Sequence, residues 1–116
     1  MRDPSVYYIL EGREVLRVGR ETCYRWRAKN GDRPRVVAQE DVGKFWVSTV
    51  FMTHDHSFED GGPPIVFETM VFARKDDGGL DLSGVHTDRC ATYQQAEEMH
   101  KRTCDGVRAG TIPETD

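Results

Sequence analysis

The sequence has no run of 18 apolar residues, so no helix of this chain is expected to cross a membrane. The opening Met1-Arg2-Asp3-Pro4 is not followed by the apolar core of a secretory signal, and none is expected. Cysteine is scarce and odd in number: Cys23, Cys90 and Cys104, with no Cys-x-x-Cys spacing. That excludes a disulfide framework or a zinc knuckle as the organising device and favours a reducing cytoplasm. The nucleophile elbow Gly-x-Ser-x-Gly is missing. So is a Walker loop, since Gly78-Gly79 is followed by neither lysine nor helix. Helix-turn-helix and zinc-finger spacings, internal repeats and low-complexity segments are also absent.

What remains is a polar chain of 116 residues, 37% hydrophobic and 31% charged, with a formal charge of -4. That length suits one domain with a core of its own. The charge is unevenly placed. Residues 13–35 hold eight basic side chains (Arg13, Arg17, Arg20, Arg25, Arg27, Lys29, Arg33 and Arg35) against three acidic ones, a balance of +5. The remainder holds eight basic against seventeen acidic residues and carries -9. The total disfavours nucleic acid, whose backbone binding depends on net cationic contacts. The arginine block still leaves room for one local anion site, because a guanidinium fork matches phosphate and carboxylate.

Apolar patterning predicts the elements. Val6–Leu10 and Val15–Val18 read as a hairpin around Glu11-Gly12-Arg13. Arg20–Asn30 reads as a short helix ended by Asn30-Gly31, and Pro34 keeps Arg33 extended. Arg35–Gln39 reads as a strand and Glu40–Gly43 as a turn. Lys44–Met52 and Ile65–Phe72 read as two long antiparallel strands, the first central and partly covered on both faces. The loop between them, Thr53–Pro64, is long enough to invite function. Ala73–Gly84 reads as an exposed turn and Val85–Ala91 as an edge strand. Thr92 and Gln95 form a capping box that opens a helix ending at Gly110. Its Tyr93, Ala96, Met99, His100, Thr103, Cys104 and Val107 would face the sheet. The expected fold is a single α+β domain over residues 1–110: an antiparallel sheet of about four to five strands, the early helix, and the longer C-terminal helix packed mainly on one face. Residues 111–116 are expected to form a disordered tail.

Thr53-His54-Asp55-His56-Ser57 is the most conspicuous polar cluster. Imidazole and carboxylate are metal ligands, but a metal site needs further ligands held by oriented partners, and Glu68 on the paired strand with Glu59 or Asp60 in the loop are the only nearby candidates. No metal and no cofactor is expected. Asp55 and His56 with a hydroxyl of Ser48 or Thr49, or with Glu68, could act as acid, base and nucleophile only if they converged. Asp55 could instead shape its loop by accepting backbone N–H groups. Glu68, set between Phe67 and Thr69, must be paired with a cation, such as an arginine of the early block, or border a cleft. Arg25 and Trp26 represent the mixture of arginine and aromatic rings that stacks against planar anionic ligands.

The stretch Val47-Ser48-Thr49-Val50-Phe51, then Asp55-His56-Ser57-Phe58, Gly62-Pro63-Pro64 and Phe67-Glu68-Thr69-Met70-Val71-Phe72 resembles a family of small proteins of tailed bacteriophages and prophages. Their core reads roughly V-S-T-V-F-x-x-x-D-H-x-F-x-x-G-x-P-x-x-F-E-T-M-V-F. Tyr7-Tyr8-Ile9-Leu10-Glu11-Gly12 is similar to their opening, Trp26 to a tryptophan of their early helix, and Thr92-Tyr93-Gln94-Gln95-Ala96-Glu97 with His100 to their late helix. His54 departs from the pattern, which has an apolar residue there, and Asp76–Thr87 departs as well. The resemblance implies a phage gene product in the bacterial host cytoplasm and says little of activity. It carries over Ser48, Thr49, Asp55, His56, Phe58, Glu68 and Thr69 as candidate ligand-contacting positions.

Three functions follow. The favoured one is a non-enzymatic phage accessory protein that binds a host protein or a small anionic, nucleotide-like ligand, for instance in countering host defence. The second is a small metal-dependent hydrolase or nuclease built on Asp55, His56 and Glu68. The third is a structural or interaction protein without a small ligand, protecting its sheet edge by homo-oligomerisation.

Overall fold

A computed structural model describes residues 6–31, 35–57 and 62–113. Two antiparallel sheets and two helices make up these residues, as expected for an α+β protein. Strands β1 (Val6–Glu11) and β2 (Glu14–Gly19) form a separate two-stranded sheet. Helix α1 (Arg20–Asn30) follows at once and packs on that hairpin. The four-stranded sheet has the order β3 (Val36–Val42), β4 (Phe45–Phe51), β5 (Phe67–Arg74), β6 (Leu80–Cys90), every neighbour antiparallel. Helix α2 (Tyr93–Ala109) lies across one face of it.

The expected single sheet is therefore six strands divided four and two. The hairpin is tied to the larger sheet's end by Tyr8 N–H donating to the carbonyl of Thr53 at 2.9 Å. Gly12 and Gly43, with φ of 62° and 61°, close the β1–β2 and β3–β4 hairpins in a backbone region that favours glycine.

Alternation assigns the faces. Val47, Thr49 and Phe51 on β4 and Phe67, Thr69 and Val71 on β5 are buried beneath α2. The opposite face carries Trp46, Ser48, Val50, Glu68, Met70 and Phe72, all partly buried. Arg74 covers Trp46, its guanidinium 5.3 Å from the ring centre. Helix α2 presents Ala96, Met99, His100, Thr103 and Cys104 as its buried stripe, the face its periodicity predicts. Each fully buried Val, Phe or Met contributes about 1.5–3 kcal/mol of transfer free energy.

The apolar core is in two pieces. Tyr8, Leu10, Phe51, Val66, Phe67 and Ala96 form one, and Val42, Val47, Val71 and Cys104 the other. Between them, at the middle of both central strands, lie Thr49 and Thr69.

Several boundaries differ from expectation. Glu40–Val42 belong to β3 rather than to a turn, which is reduced to Gly43-Lys44. Glu40 and Asp41 read as turn residues because they are acidic. Each has a partner on its own side: His100 and Cys104 for Glu40, Arg74 for Asp41. The first long strand starts at Phe45 and ends at Phe51. The second starts at Phe67 rather than Ile65, whose N–H is taken by Asp55, and it runs on to Arg74. The polar stretch 80–84 is strand, so β6 is an eleven-residue edge with a register shift opposite Val71–Ala73. The turn there spans only Lys75–Gly79. Thr111–Pro113 fold back rather than extend as a tail. Thr111 N–H donates to the carbonyl of Gly106 at 2.9 Å, and Ile112 packs on the second core piece. The rest of the expected tail, 114–116, lies outside the described residues, as do Arg33, Pro34, Phe58, Glu59 and Asp60.

Candidate functional site

Among the described residues, two gatherings of polar side chains bear on the positions singled out in the sequence. The first is a chain of hydrogen bonds at the α2–sheet interface. Thr69 Oγ1 and Thr49 Oγ1 are 2.5 Å apart, and Thr49 Oγ1 is 2.7 Å from His100 Nδ1. His100 Nε2 is 3.0 Å from Glu40 Oε1, which also lies 3.3 Å from Cys104 Sγ. One assignment of hydrogens satisfies every link: Thr69 O–H donates to Thr49, Thr49 O–H to Nδ1, and both Nε2–H and the Cys104 thiol to the carboxylate. Thr49 and Thr69 are fully buried and His100 is 6% exposed, so this pairing is what makes their burial tolerable. The chain reaches water at Glu40, whose side chain is 44% exposed and whose Oε2 meets Arg108 at 3.4 Å.

The electrostatics follow from these contacts. The Cys104 and His100 hydrogen bonds hold the Glu40 carboxyl below its ordinary range, with Arg108 adding to the effect. Burial first, then the hydrogen bond to Glu40 and its charge, push the Cys104 thiol up to about 12.

The second place is a cavity of about 440 Å³ between α1 and the nearby ends of β3 and β4. Val36, Val50, Phe51 and Met52 give it an apolar wall, and Arg27, Arg35, Gln39 and His54 bring cationic and hydrogen-bonding groups. Helical spacing and the first long strand position these groups. Arg27 lies in the last turn of α1, and His54 follows β4 with its ring edge against Tyr7 at 4.7 Å.

Among the positions singled out in the sequence, the structure brings Thr49 and Thr69 together in the buried chain. Asp55 is committed to its loop: Oδ1 accepts N–H of Ser57 and of Ile65, both at 2.8 Å. His56 is exposed and its N–H donates to the carbonyl of Ile65. Glu68 is paired with a cation, but with Arg89 of neighbouring β6 at 2.9 Å rather than with the early arginine block. Ser48 accepts from the Gln39 amide at 2.9 Å. Trp26 packs edge-on to Phe51 and donates to the carbonyl of Leu10, so it belongs to the core. Arg25 is exposed and does not line the cavity, unlike Arg27 two residues on. Asp55, His56 and Glu68 are thus engaged separately, which leaves the hydrolase reading without a common centre.

No known protein family, curated protein or solved structure matches this chain.

Sequence reasoning placed His100 and Cys104 on the sheet-facing stripe but missed Glu40 as their partner. A histidine and a cysteine four residues apart on one buried helix face was the available signal. For the cavity, the signal was the arginine block, but nothing local pointed to Arg27 over Arg25 or joined Arg35 to His54.

Proposed function

We propose that this chain is a binding protein for a small anionic, nucleotide-like ligand, seated in the cavity of Arg27, Arg35 and His54. One observation carries the reading: two arginines and a histidine from three separate segments line one concavity that also has an apolar wall. Its volume lies in the range of about 300–1,000 Å³ usual for small-molecule sites. Guanidinium forks supply phosphate or carboxylate contacts, and the partly exposed Val36, Val50 and Met52 supply the apolar surface a flat ring would cover. Together with the bacteriophage resemblance, this describes a phage accessory protein that sequesters or senses a small anion in its host's cytoplasm.

The test is thermal unfolding of the protein with millimolar mono-, di- and cyclic nucleotides, repeated on Arg27→Gln and Arg35→Gln. A ligand of this site raises the midpoint by mass action. Losing one charge-assisted contact weakens it about tenfold to a hundredfold. A panel with no shift overturns the reading. A shift that both variants leave intact overturns this cavity as the site. A protein silent to nucleotides but dimeric in light scattering would favour the interaction reading.

A further inference from the structure

We propose that Glu40, His100 and Cys104 form a zinc site, with His100 Nε2, Cys104 Sγ and Glu40 Oε1 as its three protein ligands. The three atoms lie within 4.8 Å of one another. Their separations are 3.0 Å for nitrogen to oxygen, 3.3 Å for sulfur to oxygen and 3.5 Å for sulfur to nitrogen. Ordinary zinc bond lengths at tetrahedral angles require about 3.3, 3.5 and 3.5 Å for the same three edges. An ion would therefore enter with shifts of a few tenths of an ångström. A thiolate, an imidazole and a carboxylate in tetrahedral array is a donor set suited to zinc, borderline between soft and hard.

The scaffold is arranged for it. His100 and Cys104, four residues apart, project from one face of α2. Glu40 comes from the edge strand β3 and closes the triangle from the sheet side. The remote ring nitrogen, Nδ1, is held by Thr49 at 2.7 Å, which fixes the ring plane and leaves Nε2 for the ion. Binding requires Nε2 to lose its proton, so Nδ1 must carry it and donate to Thr49. Thr49 accepts this hydrogen bond once its own hydroxyl turns to donate to Thr69, because each hydroxyl both donates and accepts.

The groups facing the site are compatible. Arg108 sits on Oε2 and leaves Oε1 open, and its charge is shared with Asp105 at 3.2 Å. The zinc charge is balanced by the Glu40 carboxylate and the Cys104 thiolate, whose proton leaves to solvent. The half-exposed Glu40 side chain gives an entry path and leaves a fourth position for water, as in sites with three protein ligands. Without the ion, the same three atoms hydrogen-bond to one another. The ion would clamp the β3 edge to α2.

The test uses the full chain, stripped with a chelator and titrated with Co²⁺ as a spectroscopic substitute and with Zn²⁺ in competition. The expected result is one equivalent of Co²⁺, four-coordinate visible absorption and a thiolate-to-cobalt charge-transfer band, all displaced by Zn²⁺. Cys104→Ser abolishes the charge-transfer band, while Cys23→Ser and Cys90→Ser retain it. Glu40→Gln, on a half-exposed side chain and so the variant safest for folding, weakens Zn²⁺ by about tenfold or more. Zn²⁺ also raises the unfolding midpoint of the parent chain and not of Cys104→Ser. Absence of the band in the parent, its survival in Cys104→Ser, or unchanged Zn²⁺ affinity in Glu40→Gln would each overturn the assignment.

Discussion

Replacing Thr49 with valine keeps the shape of the side chain and removes one hydroxyl. That hydroxyl contacts Thr69 Oγ1 at 2.5 Å and His100 Nδ1 at 2.7 Å. Thr49 and Thr69 have no exposed surface and His100 is 6% exposed, so water cannot replace what is lost. Each buried polar group left without a partner costs about 1–3 kcal/mol. Two such groups make Thr49→Val cost about 2–6 kcal/mol, a large share of the roughly 5–15 kcal/mol that holds a domain together. With a urea slope of about 1–3 kcal/mol per molar, the midpoint falls by on the order of 1–2 M. Thr69→Val alone leaves Thr49 bonded to His100 and costs about 1 kcal/mol. The deciding measurement is the double variant. Adding Thr69→Val to Thr49→Val removes the hydroxyl that the first change orphaned, so stability should recover rather than fall further. Urea unfolding of the parent and three variants, with constant slope, gives the cycle. If the double variant loses as much as the two single losses added together, the threonines do not act as one unit and the reasoning fails.

Other contacts give sharper local tests. Asp55→Ala releases the N–H groups of Ser57 and Ile65 and is expected to cost about 1–3 kcal/mol. Asp55→Asn keeps an acceptor oxygen and should cost less than half as much in the same denaturation assay; equal losses would count against the loop-shaping role. Burial, then the charge of Asp88, push the Cys90 thiol from 9.0 to about 11. The folded chain therefore holds this proton to higher pH than the unfolded chain does. Its contribution to stability is present below pH 9 and is lost as pH rises from about 9 to about 11. Alkylation of Cys90, followed by peptide mapping, should be far slower at pH 8 in the folded protein than in urea, and equal rates would contradict the assignment. Thr92→Ala removes the capping box, in which Thr92 Oγ1 accepts from Gln95 N–H at 3.1 Å. It should cost about 1 kcal/mol and speed hydrogen exchange in the first turn of α2; unchanged exchange there would speak against the cap.

The parts of the fold that are local in origin were legible in the sequence. The Val6–Glu11 hairpin strand, the Phe45–Phe51 strand and the α2 helix each carry a period, a glycine turn or a cap within their own residues. The first half of strand β6 and the end of β3 were not legible, because Leu80-Asp81-Leu82-Ser83-Gly84 and Glu40-Asp41 are strand only through what pairs with them. The same division holds at the sites. Asp55 acts on Ser57, two residues away, and its alternative role as a loop shaper was readable beforehand. Glu40 meets Cys104 across 64 positions, and Arg27, Arg35 and His54 meet only once α1 has been placed on the hairpin. Side chains that converge from distant segments leave no periodic trace in any one of them.

The polar chain poses a problem that stability does not answer. A seam of valine and leucine between the two apolar pieces would hold the sheet and helix together as well or better, since buried polar networks are often matched by well-packed apolar ones. What apolar side chains supply poorly is a unique register. The face of α2 repeats small and medium side chains at Ala96, His100 and Cys104, and apolar contacts alone discriminate weakly between neighbouring turns. A slip of one turn moves the helix by about 5.4 Å. That shift would break both the Thr49–His100 and the His100–Glu40 bonds and leave the buried His100 ring without either partner. The cost falls on every wrong register and not on the right one. The right register also brings the Cys104 sulfur to 3.3 Å from Glu40. The chain that fixes the helix therefore also brings the three donors together.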